Sequence, residues 1–305
     1  MKTVHHHDLR IGLLDAADLE TGTPPPGTGL HMLRLEDPTR EQYEQLTPQG
    51  FRLKPQWLFW SRPVYDTIDA YLATLHPRLR KSTRVAVRRL EPEHTLVVQS
   101  PVEPDSLDTW YELYRRHIAR LPKGTLYAAD DLADFRARPE RVVALYLHHE
   151  GRMIAGLITL KVPAHRMLRA IYFGCDPSCP DPGIMRYLFL RAGEVAHELG
   201  YERLAAGADP NFYGHDVSTG LYLLKKRLGF RIDPLWRYEA DDPPVLEKVV
   251  SLDRCEDPSF HLGYDGFDIQ RAELVGHVLS RRPDADPAPF ASPTLPTVLT
   301  QRVPA

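Results

Sequence analysis

The residues best suited to chemistry lie in Leu224-Lys225-Lys226-Arg227-Leu228-Gly229-Phe230 and in the loop before it, GADPNFYGHDVSTG from Gly207 to Gly220. At 100° per residue, Val217, Leu221, Leu224 and Leu228 gather on one helix face. Lys225 then falls roughly 70° from the centre of that face, at its border, and Lys226 roughly 170° away, in solvent. A cation on the rim of an apolar cleft stabilises an oxyanion, and desolvation strengthens the effect; a snorkelling surface lysine gives the same pattern. An attacking amine must be neutral, so it needs a carboxylate or imidazole within reach. Asp209, His215 and Asp216 are the candidate bases, with Tyr213 as a proton donor. Turn and cap chemistry competes for the same residues: Asp209-Pro210-Asn211 suits a turn, and Asp216 or Ser218 suits a helix cap.

A second group of residues is suited to phosphate. Arg78, Arg80, Lys81, Arg84, Arg88 and Arg89 fall within twelve residues that contain no acid. Arg80, Arg84 and Arg88 recur every four residues and make a stripe on one helix face, with Leu79, Thr83, Ala86, Val87 and Leu90 turned inward. A fixed row of guanidinium groups binds a phosphate chain by bidentate bonds and counterion release; a solvated face paired with carboxylates is the alternative. Arg115, Arg116, Arg120, Lys123 and the Lys225–Arg227 cluster extend the basic material. A nucleic-acid backbone offers such a helix a continuous track, and a small phosphate-bearing ligand offers only a few phosphates.

Other chemistries find less support. Fourteen histidines and three cysteines suggest a metal, but Cys175 and Cys179 have no second pair at zinc spacing. His148 and His149 alternate across a strand, and His5-His6-His7 stands in a loose end, so no metal is expected. There is no Gly-x-Ser-x-Gly elbow and no cysteine with an evident base. Trp57, Phe59 and Trp60 either line an acceptor groove or fill core.

These residues need elements to hold them. The chain has 305 residues, 43% hydrophobic and 26% charged, with net charge -3, 28 prolines and 19 glycines. That excludes a disordered chain, a collagen-like chain and a disulfide scaffold. No apolar run reaches the ~20 residues that cross a bilayer, and the expected location is cytoplasmic. Helices are predicted at 64–75, 77–90, 105–120, 184–199 and 217–228. Strands are predicted on either side of the Glu150-Gly151 turn, at 167–174, at 204–208 and at 236–238. The expected organisation is a terminal segment and linker over 1–29, a lobe with the basic helix over 30–95, and a catalytic domain over 96–240. A strand-and-helix extension over 241–281 packs back, and a disordered Pro-rich tail follows over 282–305. The fold class is α/β, a mixed, mostly antiparallel central sheet flanked by helices.

Three strings carry a resemblance over roughly residues 70–235. CDPSCPDPGIMRYLFLRAGEVAHELGY resembles the strand, glycine-bearing phosphate loop and helix of the GCN5-related N-acetyltransferase (GNAT) fold. GLYLLKKRLGF is similar to that family's closing helix with its Gly-Phe ending. YLATLHPRLRKSTRVAVRRLE resembles a helix of the Fem-type aminoacyl-tRNA-dependent transferases. Two departures stand out. Where acetyl-CoA enzymes have Arg/Gln-x-x-Gly-x-Gly/Ala, this chain has Pro180, Gly183 and Met185, and Pro180 and Pro182 have no N–H to give a pyrophosphate. Where those enzymes often have a Tyr, four residues before the Gly of Gly-Phe, Lys225 stands, as a Lys does in the Fem-type branch. The resemblance implies an amide-forming acyltransferase without a bound cofactor. Its donor would be aminoacyl-tRNA, with acyl-CoA as the alternative, and its acceptor an amine of a small molecule, peptide or cell-wall precursor. Lys225 would stabilise the oxyanion, while Arg80, Lys81, Arg84, Arg88 and Gly183 would bind the donor. No DNA partner is implied. A non-catalytic RNA- or phosphate-binding module is the remaining alternative.

Overall fold

A computed structural model describes residues 1–15, 18, 28–121, 124–179, 181–215, 217–239 and 242–303. The chain divides into two compact units. Unit 1 comprises Met1–Phe59, Ala208–Lys226 and Ile232–Ala305; unit 2 comprises Trp60–Gly207 and Arg227–Arg231.

Unit 2 is laid on strands in the order Trp57–Pro63, Arg203–Pro210, Met167–Cys175, Arg152–Val162, Val142–His149 and His94–Gln99. The last four pair antiparallel, and the Glu150-Gly151 turn has both residues at positive φ, 49° and 76°, the twist that a two-residue hairpin requires. Arg203–Pro210 runs parallel to Met167–Cys175, but its ladder comprises three pairs only, Arg203 to Ala205 against Met167 to Arg169. Gly207, at φ 73°, follows that ladder, so a residue permitted in the left-handed region sits where pairing stops.

Helix Pro104–Ile118 buries Leu107, Trp110, Leu113 and Tyr114, the predicted spacing. They pack with Val142, Ala144, Tyr146 and Ile158 in one core. The basic helix, Pro77–Glu93, buries Thr83, Ala86 and Leu90 and packs on helix Pro182–Glu198. Asp181 caps the latter by accepting from Gly183 N, with Pro182 at the first helical position. Pro fits there because that N–H has no intrahelical partner.

Unit 1 has two sheets. One orders Lys2–His6, Leu9–Leu13, Met32–Glu36, Val245–Val249 and Arg52–Lys54; the other orders Ser259–Tyr264, Leu274–Ser280 and Val298–Arg302. Helix Arg40–Leu46 opens with a capping box at Thr39, and Thr219–Arg227 is the closing helix.

Several expectations are corrected here. The first residues are not a loose segment. Lys2–His6 and Leu9–Leu13 form a hairpin that buries Leu9 and Ile11, and His5 and His6 lie in its strand. The segment 261–277 holds two strands and no helix; Val275 and Val278 gain cross-strand partners there, which suits β-branched side chains. Residues 282–303 are ordered, with Val298–Arg302 parallel to Leu274–Ser280 and with Phe290, Leu295 and Val303 buried. Their proline-rich composition concealed those few apolar anchors. The strand expected at 236–238 lies earlier, at Arg231–Pro234, and a 3-10 turn, Leu235–Arg237, replaces it; Pro234 has no N–H to extend a ladder.

Candidate active site

In unit 1, the strand ending at Pro210 and the closing helix bring three of the predicted residues together. Lys225 Nζ donates to Asp209 Oδ1 at 2.7 Å, and the Tyr213 hydroxyl donates to Asp209 Oδ2 at 3.0 Å. Lys225 is 8% exposed, Asp209 5% and Tyr213 0%. Burial pushes the Lys225 ammonium pKa down, and Asp209 opposes that shift. The Tyr213 ring meets Tyr222 at 5.2 Å, and Tyr222 meets Phe260 at 4.5 Å. Phe260 in turn stacks on Phe290 at 4.7 Å. Lys225 therefore lies inside the protein and not at its rim, because the helix packs on more than one side. Lys226, expected in solvent, is half-buried and donates to the carbonyl of Ala291 at 2.7 Å.

This arrangement commits Asp209. Each of its carboxylate oxygens accepts from a buried donor, so it anchors Lys225. His215 is buried and pairs through Nε2 with Asp8. Asp216 lies outside the described residues. The geometry thus offers a cation fixed by a carboxylate that is itself held by a phenol. That is the arrangement for stabilising negative charge at a defined place.

In unit 2, the basic helix keeps only part of its stripe free. Arg80 donates to the carbonyls of Ala73 at 2.9 Å and Leu75 at 3.2 Å, where it satisfies the end of the preceding helix, Ile68–Thr74. Arg84 pairs with Asp69 at 2.9 Å on the surface. Lys81 and Arg88 are exposed, as is Arg78, and no carboxylate pairs with any of the three among the described residues. Arg120 donates to Pro177 O at 2.8 Å. Lys123 lies outside the described residues.

The phosphate-loop region holds a residue that the sequence pattern alone did not bring forward. Asp181 Oδ1 accepts from Gly183 N at 2.7 Å, and Oδ2 accepts from Arg89. The N–H of Gly183, expected to bind donor, is spent on this carboxylate. The signal was present in the sequence, since Asp immediately before Pro-Gly is a helix cap followed by a favoured first residue. Pro180 lies outside the described residues. Cys175 and Cys179 are free thiols, and burial raises the Cys175 pKa to about 11. Trp60 and Phe59 are buried and Trp57 is exposed.

Among the described residues, no group of three or more His, Cys, Asp or Glu side chains is placed to hold a metal ion. No helix among them is long and apolar enough to cross a membrane.

Residues 77–214 match the acetyltransferase (GNAT) domain family. No curated protein matches the chain. Among solved structures, the chain is similar to FemX, at 12% identity and TM-score 0.46, over 72% of each chain. It is also similar to L-PGS from Bacillus licheniformis, at 16% identity and TM-score 0.43, over 71% of this chain and 67% of that one. A third is the C-terminal domain of a putative lysylphosphatidylglycerol synthetase from Agrobacterium fabrum. It has 14% identity and TM-score 0.44, over 81% of this chain and 79% of that one.

Proposed function

We propose that this chain, a GNAT-fold acyltransferase whose acetyltransferase domain spans residues 77–214, transfers an aminoacyl group from aminoacyl-tRNA to an amine. The acceptor would be a small molecule, a peptide or a cell-wall precursor.

One observation carries the choice of donor. A coenzyme A pyrophosphate needs free N–H groups at the start of a helix such as Pro182–Glu198. Here the Asp181 carboxylate already takes the Gly183 N–H and the Arg89 guanidinium. A pyrophosphate arriving there meets a like charge and has no free donor at Gly183. The cations without acid partners among the described residues, Arg78, Lys81 and Arg88, stand on a surface helix instead, where they suit the phosphates of a longer polyanion. The Fem-type resemblance of residues 71–91 and 220–230 supports the same donor.

In the proposed reaction, the acceptor nitrogen attacks the ester carbonyl carbon that joins amino acid to ribose. The N–C bond forms, and the carbonyl π electrons move to oxygen as an oxyanion. Collapse breaks the C–O bond to ribose, and the proton lost by the amine ends on the departing ribose oxygen. Lys225 is assigned the oxyanion, with Asp209 and Tyr213 as its positioning residues. In this scheme Asp209 holds Lys225 in place and is not assigned the base.

The deciding experiment offers charged tRNA pools and acyl-CoA pools to the pure protein with a panel of amines, and detects amide products by mass. Aminoacylated amine from tRNA alone supports the proposal. Acylation from acyl-CoA, with none from tRNA, overturns it.

A further inference from the structure

Unit 2 contains a cavity of about 420 Å³ between the C-terminal turn of the basic helix and the loop before helix Pro182–Glu198. Leu90 and Ile184, both buried, supply its apolar lining. The polar lining is Arg89, Glu93, His94, Ser178, Cys179 and Asp181, among which acceptors predominate. Glu93 is exposed, and its carboxylate has no ion-pair partner among the described residues. His94 Nδ1 lies 3.0 Å from the carbonyl of Leu90; a carbonyl only accepts, so Nδ1 carries a proton, and in that tautomer Nε2 is an acceptor. The neighbouring ring of His149, 4.8 Å away, is held the same way by the carbonyl of Glu93, at 3.0 Å. Ser178 gives its hydroxyl proton to Asp176 at 2.7 Å, which leaves its oxygen lone pairs to accept. The one strong donor, Arg89, is already paired with Asp181.

With Arg89 and Asp181 cancelling, the lining carries the net charge of Glu93. An acceptor-rich, negatively charged cavity with an apolar floor selects a compact cation with several N–H donors and a short alkyl stem. From this we infer that the cavity is a binding site for a primary alkylammonium group, with Glu93 as its counter-ion and His94 Nε2 and Ser178 Oγ as further acceptors. The chemistry is shared by a free diamine and by a lysine side chain of a peptide. The inference concerns binding and does not depend on the identity of the acyl donor.

Calorimetric titration of the full chain tests it, with butane-1,4-diammonium and Nα-acetyl-lysine amide as separate probes. Saturable binding of either probe at near-neutral pH is expected. The tighter probe identifies the free-amine or the side-chain source. Glu93→Gln should weaken binding by about 10-fold or more, since the hydrogen bond to the ammonium is then no longer charge-assisted. Arg89→Ala should tighten it by severalfold, because it frees the Asp181 carboxylate from a competing cation. Both residues are exposed, so thermal melts verify that the variants fold. Failure of both probes at millimolar concentration overturns the inference, as does binding unchanged in Glu93→Gln. So does a cavity that takes inorganic pyrophosphate and loses it in Arg89→Ala, for that is the behaviour of an anion site.

Discussion

Lys225 and Asp209 form a buried ion pair, Nζ to Oδ1 at 2.7 Å, with the second carboxylate oxygen held by Tyr213. Removing one member leaves the other desolvated and uncompensated, which costs about 3–5 kcal/mol. Lys225→Met and Asp209→Asn should each be destabilised on that scale in chemical denaturation. The double variant should lose less than the sum, because no charge is stranded. Additive losses would mean that the pair is not coupled.

The same pair predicts activity. At a temperature where Lys225→Met remains folded, turnover should fall by about 10²-fold or more while tRNA affinity stays near wild type. Wild-type turnover in this variant would remove Lys225 from the reaction.

Among the described residues, Arg78, Lys81 and Arg88 have no acid partners, whereas Arg80 and Arg84 are engaged by backbone carbonyls and by Asp69. Neutralising the first three to Gln should weaken tRNA binding and flatten the log–log salt dependence by about one unit for each phosphate no longer neutralised. Arg84→Gln should do less. An unchanged salt slope in the triple variant would place the nucleic acid elsewhere.

How much of this was legible in the sequence varies with the kind of signal. The helix bearing Leu107, Trp110 and Leu113 and the hairpin at Gly151 were readable because periodicity and turn chemistry are local. The Lys225–Asp209 association was half readable: both residues stood out, but only the fold shows that sixteen residues of separation close to an ion pair. The order of residues 282–303 was not readable, since Phe290, Leu295 and Val303 are single anchors in proline-rich chain and their burial depends on distant strands. Asp181 was readable as a cap, but the prolines on either side of it carry the stronger local signal.

Asp181 caps the helix Pro182–Glu198 and neutralises Arg89. Asp181→Ala should cost about 1 kcal/mol through loss of the cap. It should also free the Gly183 N–H and Arg89 together, so that inorganic pyrophosphate binds at least about 10-fold more tightly than to wild type. Calorimetry reads both forms; equal affinity would mean that Asp181 is not what keeps phosphate away.

His261 and His277 face each other across paired strands with ring centroids 5.2 Å apart. Burial lowers the pKa of both, aided by the positive charges of Lys54 and Arg52, with His277 brought to about 4 and His261 well below its ordinary value. The unfolded chain binds these protons near pH 6.5 and the folded chain does not. Their contribution to stability is therefore complete above about pH 6.5 and is lost as pH falls toward 4. Asp242, raised by burial to about 6, acts in the opposite sense over part of that window, so the comparison must be made between variants. Neither His261 nitrogen has a hydrogen-bond partner among the described residues. His261→Phe should therefore fold as well as wild type at pH 7 and show a shallower stability loss between pH 6.5 and 4. An unaltered pH profile would show that His261 does not titrate with unfolding.

Gly156 lies where Trp110 crosses the sheet of unit 2. A Cβ there would stand 2.5 Å from Trp110 Cδ1 and 3.0 Å from Tyr146 Cδ1, and Trp110 Nε1 donates to the Gly156 carbonyl at 3.3 Å. Trp110 is fully buried in the core that joins helix Pro104–Ile118 to the strands, so it has little room to retreat. Gly156→Ala should cost about 1–3 kcal/mol by overpacking. In a Trp110→Ala background, which lacks the ring that this Cβ would meet, Gly156→Ala should cost less than it does in the wild type. If Gly156→Ala is as stable as wild type in denaturant titration, the close approach of helix to strand is not what requires glycine at this position.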